Sequence, residues 1–182
     1  MGDPSKLAAF ILARAEMLRA LQAVARLDLP DAWIGAGFIR NAVWDALHGT
    51  GHVALDDADV VFFDRAHADA ERDRSIEAEL HRIWPQILWS VKNQARMHAR
   101  NGDAPYGDTL DAVTHWPETA TAIAARWRDG RLDVMAPHGC GDLFGLIVRP
   151  TPAFAGRLDI VRRRIRDKGW LLRWPRLTVV GM

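Results

Sequence analysis

Cysteine is almost missing from this chain of 182 residues; Cys140 stands alone. A lone cysteine excludes an intramolecular disulfide framework and a cysteine-rich zinc site, and a reducing, cytoplasmic setting is the expectation. Long apolar runs are also lacking. Residues 7–29 are interrupted by Arg14, Glu16, Arg19 and Arg26 and make a poor membrane span. Residues 1–6 lack the basic region and apolar core of a secretory leader. Nor does one sign of charge dominate: 24 Lys and Arg face 23 Asp and Glu, for a net +1. There is thus no strong signal for long nucleic acid, and any basic surface has to be local. Repeats, low-complexity stretches and linkers are absent, which predicts a single domain over 1–182. Within it an N-terminal helix takes 1–30, a sheet core 31–136 and a C-terminal helical tail 137–182. Tyrosine occurs once but tryptophan 8 times, and large core side chains are the simplest use for those rings.

What is present has clear periodicity. Leu7, Ile11, Ala15, Leu18, Leu21, Val24 and Ala25 recur at helical spacing, predicting one amphipathic helix from near Ser5 to before Pro30. Residues 32–34 form a short strand, Gly35 and Gly37 a turn, and 38–47 a helix closed by Gly49-Thr50-Gly51. The two glycines permit backbone angles closed to other residues. A helix starting there offers its first N–H groups to an anion. Residues 57–63 make a second strand. Side chains alternate across it, so Asp57 and Asp59 share a side, while Asp56 and Asp64 flank them as weaker candidates.

A charged helix over 68–84, stopped by Pro85, precedes a third strand over 87–91. That strand leads into Lys92-Asn93-Gln94-Ala95-Arg96-Met97-His98, where Lys92 and Arg96 either clamp phosphates or pair with neighbouring acids. Asp108 is an N-cap for a helix to about Trp116. Asp129-Gly130, between apolar runs, signals a hairpin, although 120–127 also suits a helix start. Further helices are expected near 143–146 and over 153–168. His138 and Cys140 lack an orienting acid and read as a loop histidine and a small buried thiol.

The glycine turn can be read in two ways. Gly35-Ala36-Gly37-Phe38-Ile39-Arg40 begins like a dinucleotide fingerprint, but Arg40 replaces the third glycine and the acids open the next strand instead of closing it. Joined to Asp57 and Asp59, the turn suits nucleotidyl transfer. A triphosphate needs N–H donors and cations, and its reacting oxygens need magnesium held by hard carboxylates.

At this point the chain resembles a bacterial nucleotidyltransferase-like family of the DNA polymerase beta superfamily. The resemblance is carried by Gly35-Ala36-Gly37-Phe38-Ile39-Arg40-Asn41 and Asp57-Ala58-Asp59-Val60-Val61-Phe62-Phe63-Asp64. Further motifs are Val91-Lys92-Asn93-Gln94-Ala95-Arg96-Met97-His98, Trp116-Pro117-Glu118-Thr119-Ala120-Thr121, Ala136-Pro137-His138-Gly139 and Asp142-Leu143-Phe144. It implies an α+β fold, a nucleotidyltransferase-like mixed sheet flanked by helices, with N- and C-terminal helices packed on it. It also implies Asp57 and Asp59 as catalytic metal ligands for Mg²⁺. Gly35, Gly37, Arg40, Asn41, Lys92, Asn93 and Arg96 would bind the nucleoside triphosphate; the acceptor is unassigned. The superfamily commonly has a third carboxylate on a later strand, where this chain has Ser90; Glu118 and Asp133 are the candidates to replace it. A non-catalytic nucleotide-sensing or protein-binding module on the same fold is the second reading, and a dinucleotide-binding enzyme the third.

Overall fold

The structure, a computed structural model, describes residues 4–50 and 57–182; Asp56 therefore lies outside the described residues. The expected N-terminal helix is divided in two, α1 (Pro4–Leu12) and α2 (Ala15–Ala25). Arg14 between them is extended, at φ −122° and ψ 98°. Its guanidinium lies 3.4 Å over the Phe10 ring and donates to the Phe10 carbonyl at 2.8 Å, occupying a carbonyl near the end of the first helix. The break lets each half cover a different strand. Leu7 and Ile11 of α1, like Met17, Leu21 and Val24 of α2, are buried in one core.

The next elements are β1 (Trp33–Gly35), α3 (Gly37–His48), β2 (Asp57–Phe62), α4 (Ala70–Ile83) and β3 (Leu88–Asn93). After them come α5 (Met97–Asn101), α6 (Thr109–Thr114), β4 (Ala124–Arg128) and β5 (Arg131–Met135). The five strands form one sheet in the order β3-β2-β1-β4-β5. Only β2 and β3 are parallel, and α4 makes the crossover that a parallel pair requires; β1 runs antiparallel to both neighbours. The β4–β5 turn has Asp129 at φ 52° and Gly130 at φ 77°, the left-handed pair expected of Asp-Gly in a two-residue hairpin. Asp108 caps α6 by accepting from the Asp111 N–H at 2.7 Å, as its sequence position predicts.

Strand alternation gives the sheet two unlike faces. Ile34, Ala58, Val60, Phe62, Val91 and Ala125 point into the main core, beneath α1, α2, α3 and α4. The other face carries Trp33, Val61, Ala124 and Met135, which pack with Val113 of α6 and with Trp116 in a smaller cluster. Asp57, Asp59 and Ser90 belong to this second face by register.

The C-terminal part contains α7 (Gly141–Phe144), β6 (Ile147–Val148), α8 (Leu158–Asp167), α9 (Trp170–Arg173) and β7 (Thr178–Val179). The helix expected over 153–168 begins later, because Pro152–Phe154 forms a separate 3₁₀ turn. Arg157 fixes the junction, donating to Ala153 O and Asn101 O at 2.9 Å and reaching Asp103 at 3.1 Å. Trp170 and Trp174 pack edge-on against Trp44 at 5.6 and 5.1 Å, and all three rings are buried in the main core. Arg173 and Trp174 donate to the buried Asp45 carboxylate at 2.9 and 2.7 Å. The fold is thus α+β, a mixed sheet with helices from both ends of the chain packed on it. Among the described residues, no helix is long and apolar enough to cross a membrane.

Candidate active site

The turn between β1 and α3 differs in detail from expectation. The positive φ falls on Ala36, at φ 52° and ψ −123°, and neither glycine has one. Ala36 is held there by its N–H bond to the Ile123 carbonyl at 3.1 Å, while its own carbonyl receives the Arg40 N–H at 3.0 Å and starts α3. An alanine in this region costs about 1–3 kcal/mol, so surrounding contacts impose it. The glycines answer a different need, close approach. A Cβ on Gly35 would lie 2.8 Å from the Ile123 carbonyl and 2.9 Å from the Trp116 ring. A Cβ on Gly37 would meet the two Asp57 carboxylate oxygens at 3.3 and 3.4 Å and the Asn41 amide nitrogen at 3.4 Å. Gly35 lets strands and loop pack; Gly37 leaves clearance for an acid.

Asp59 pairs in register with Gly35 on one side and Ser90 on the other. Asp57, two residues earlier at the exposed start of β2, is on the same face. Burial pushes the Asp59 carboxyl above its ordinary range, and the neighbouring charge of Asp57 pushes it further. A hydrogen bond with Ser90 and the fields of Lys168 and Arg40 pull the other way. Two carboxylates that repel, one of them largely desolvated, with a glycine clearing the space beside the other, suit a hard divalent cation. Among the described residues there is no group of three or more His, Cys, Asp or Glu that could hold a metal. Such a two-carboxylate arrangement matches how Mg²⁺ is usually held, by one or two acids together with substrate phosphates and water.

Both residues considered as a third acid are engaged by arginines. Glu118 is fully buried and its carboxylate is taken by Arg164, at 2.7 Å from Nε and 3.4 Å from Nη2. Asp133 is on β5, three strands from β2, or about 14 Å at the usual spacing of strands, and is bound by Arg126 at 3.0 Å. Ser90 occupies the register position beside Asp59.

The sequence-predicted cations and amides separate into two groups. Arg40 and Asn41 lie with Gly37 and Asp57. Arg40 is buried; it donates to Thr121 Oγ1 at 2.9 Å and Asn41 Oδ1 at 2.8 Å, and its guanidinium sits 4.3 Å over the Trp170 ring. Burial lowers its pKa to about 10, against the opposing pull of Glu118 and, more weakly, Asp57 and Asp59. It therefore stays charged at neutral pH behind the acids.

Lys92, Asn93 and Arg96 stand at the other end of the parallel pair. Lys92 binds Glu77 of α4 at 2.9 Å, and Arg96 pairs with buried Asp73, also of α4. The buried Asn93 side chain accepts from the N–H groups of Asp64 and Ala95 at 3.1 Å and donates to the carbonyls of Asp64 and His67. Asp64 is itself engaged by Arg72 at 2.7 Å. His138 meets the Thr114 carbonyl at 3.0 Å, and Cys140 is buried.

Sequence reasoning passed over Lys168, the cation other than Arg40 whose field acts on Asp59. A local signal existed: residues 157–176 hold eight Lys and Arg against two Asp, a concentration hidden by the neutral whole. The dinucleotide reading is corrected by topology, since it requires a mostly parallel doubly wound sheet and β1 here is antiparallel to both neighbours.

A helix-flanked mixed sheet, with a glycine turn facing two acids on the adjoining strand, is the architecture of the nucleotidyltransferase class. A nucleotidyltransferase family model matches residues 22–179, and the chain belongs to that family. Among solved structures, it is similar to one determined by NMR and described as a CCA-adding enzyme head domain. That likeness has 29% identity and a TM-score of 0.87, covering 98% of this chain and 96% of the other. A CCA-adding enzyme in complex with CTP aligns at 16% identity and TM-score 0.57, covering 97% of this chain and 43% of that one. The Thermotoga maritima CCA-adding enzyme complexed with tRNA aligns at 16% identity and TM-score 0.51, covering 97% and 40%. The chain thus spans about two-fifths of these longer enzymes, and their likeness is one of fold. No curated protein matches the chain.

Proposed function

We propose that the chain transfers a nucleoside monophosphate from a nucleoside triphosphate to an acceptor hydroxyl or similar nucleophile, with release of pyrophosphate. The observation that carries this reading is the placement of Asp57 and Asp59 on one face, with Asp57 against Gly37 at the first turn of α3. Asp57 and Asp59 would hold Mg²⁺. When bound there, the ion supplies Lewis-acid polarisation of the reacting phosphate and charge neutralisation. The glycine turn keeps the space beside Asp57 open, and Arg40 and Asn41 keep a cation and an amide next to it. Arg40 acts through its field, because its guanidinium is engaged by Thr121, Asn41 and Trp170. The CCA-adding enzyme that binds CTP makes CTP the first nucleotide to try, followed by ATP. The setting we infer is cytoplasmic.

Asp57→Asn with Asp59→Asn removes both negative charges at nearly unchanged shape. Magnesium-dependent binding of CTP and ATP, followed by calorimetry, is expected to disappear in this double variant while circular dichroism still reports the folded sheet. Unchanged binding would sink the proposal. Ser90, at the position beside Asp59, favours a second reading in which nucleotide binds without turnover. Pyrophosphate release that depends on Asp57 excludes that reading; saturable binding without release across candidate acceptors supports it.

A further inference from the structure

We propose that Lys168 is the residue that reaches the phosphates of the incoming nucleotide; this rests on the nucleotidyl-transfer reading of Asp57 and Asp59. A triphosphate brought beside two carboxylates needs a cation that can move to meet it. Arg40 is buried, and its two terminal nitrogens donate to Thr121 and Asn41. Lys92 and Arg96 are held by Glu77 and Asp73, Arg164 by Glu118 and Arg173 by Asp45. Lys168 differs from all of them. It is exposed, among the described residues its ammonium has no ion pair, and it stands two residues before Trp170, whose ring lies 4.3 Å from the Arg40 guanidinium.

Its placement is set from both sides. The Lys168 N–H bonds the Arg164 carbonyl at 3.0 Å and finishes α8. One turn upstream, Arg164 is fixed to Glu118 at 2.7 Å. Immediately downstream Gly169 turns at φ 60°, and Trp170 then packs against Trp44 and beneath Arg40. The backbone of Lys168 is therefore anchored to the first turns of α3, the helix that adjoins the acids. Its side chain is exposed. A fixed base with a mobile ammonium suits a flexible polyphosphate, which lysine meets as a point charge and not in one rigid geometry.

The test is calorimetric titration of wild type, Lys168→Met and Lys168→Arg with CMP, CDP and CTP in magnesium. Lys168→Met is expected to weaken CTP binding about tenfold or more, the scale of one lost charge-assisted contact. The loss should grow from CMP to CTP, and Lys168→Arg should retain most of the affinity. No loss, or the same loss for all three nucleotides, in a protein whose wild type binds CTP overturns the role of Lys168 alone. A wild type that binds no triphosphate overturns the nucleotidyl-transfer reading and this inference with it.

Discussion

Two charged clusters lie on the same parallel strand pair and are built on opposite plans. At the C-terminal end of β3 each charge meets its opposite on α4: Arg96 meets Asp73, and Lys92 meets Glu77. Asn93 ties the intervening turn to Asp64 and His67. At the N-terminal end of β2, Asp57 and Asp59 face the same way, and the nearby cations act at a distance. The first cluster is closed by opposite charges of its own, although Asp73 Oδ1 and Arg96 Nε are buried without a hydrogen-bond partner. The second has like charges held together by a fold that pays for the repulsion, and a cationic ligand relieves it. The residue types are similar in the two places; the distribution of partners separates them.

The largest expected effect that would test this contrast is on the paired side. Asp73→Ala removes an almost fully buried carboxylate that accepts from Arg96 and from the Asn93 N–H. It should cost about 3 kcal/mol, as breaking a buried pair does, read as a lower denaturant midpoint with unchanged slope. The next effect is on the unpaired side and has the opposite sign. The folded-state pKa of Asp59 is raised above its ordinary 3.8. The stability linked to that shift is fully present below the ordinary value and is lost as pH rises through the folded value. In metal-free protein at neutral pH, Asp59→Asn should therefore raise the thermal midpoint, and the gain should vanish in acid where Asp59 is protonated in both states. A variant less stable than wild type at pH 7 would break the comparison. The smallest effect belongs to Lys92→Met. Its partly exposed pair with Glu77 should be worth at most about 1 kcal/mol, and CTP affinity should stay within about twofold of wild type.

Much of this architecture was legible in the sequence because it is locally encoded. The hairpin at Asp129 and Gly130, the cap at Asp108, the glycine-bounded α3 and the acid-led β2 each carry their cause within a few residues. The failures share a different cause. The positive φ of Ala36 depends on the carbonyl of Ile123, far along the chain. The break at Arg14 lets two short helices follow a twisted sheet, a demand the helical period cannot express. β6 and β7 have two residues each, too few to show any period. For Lys92 and Arg96 the choice between clamping phosphates and pairing with acids stays open in the sequence, because the acids they meet lie 15 and 23 residues earlier on α4. Ser90 was visible as the polar residue of its strand, but its pairing with Asp59 required the register.

Asp45 has a consequence for the order in which the molecule can be made. It sits on α3, the helix that carries the glycine turn, yet both its carboxylate oxygens are supplied by Arg173 and Trp174, 128 and 129 residues later. A ribosome releases the acid long before its partners. Until they arrive, α3 has a carboxylate without its donors and Trp44 lacks the two rings that enclose it. α3 therefore stays unfinished until residues 173 and 174 have been made, and long-range closure of this kind is slow. Late completion means that the two acids of β2 acquire their rigid neighbour only after Arg173 and Trp174 have emerged.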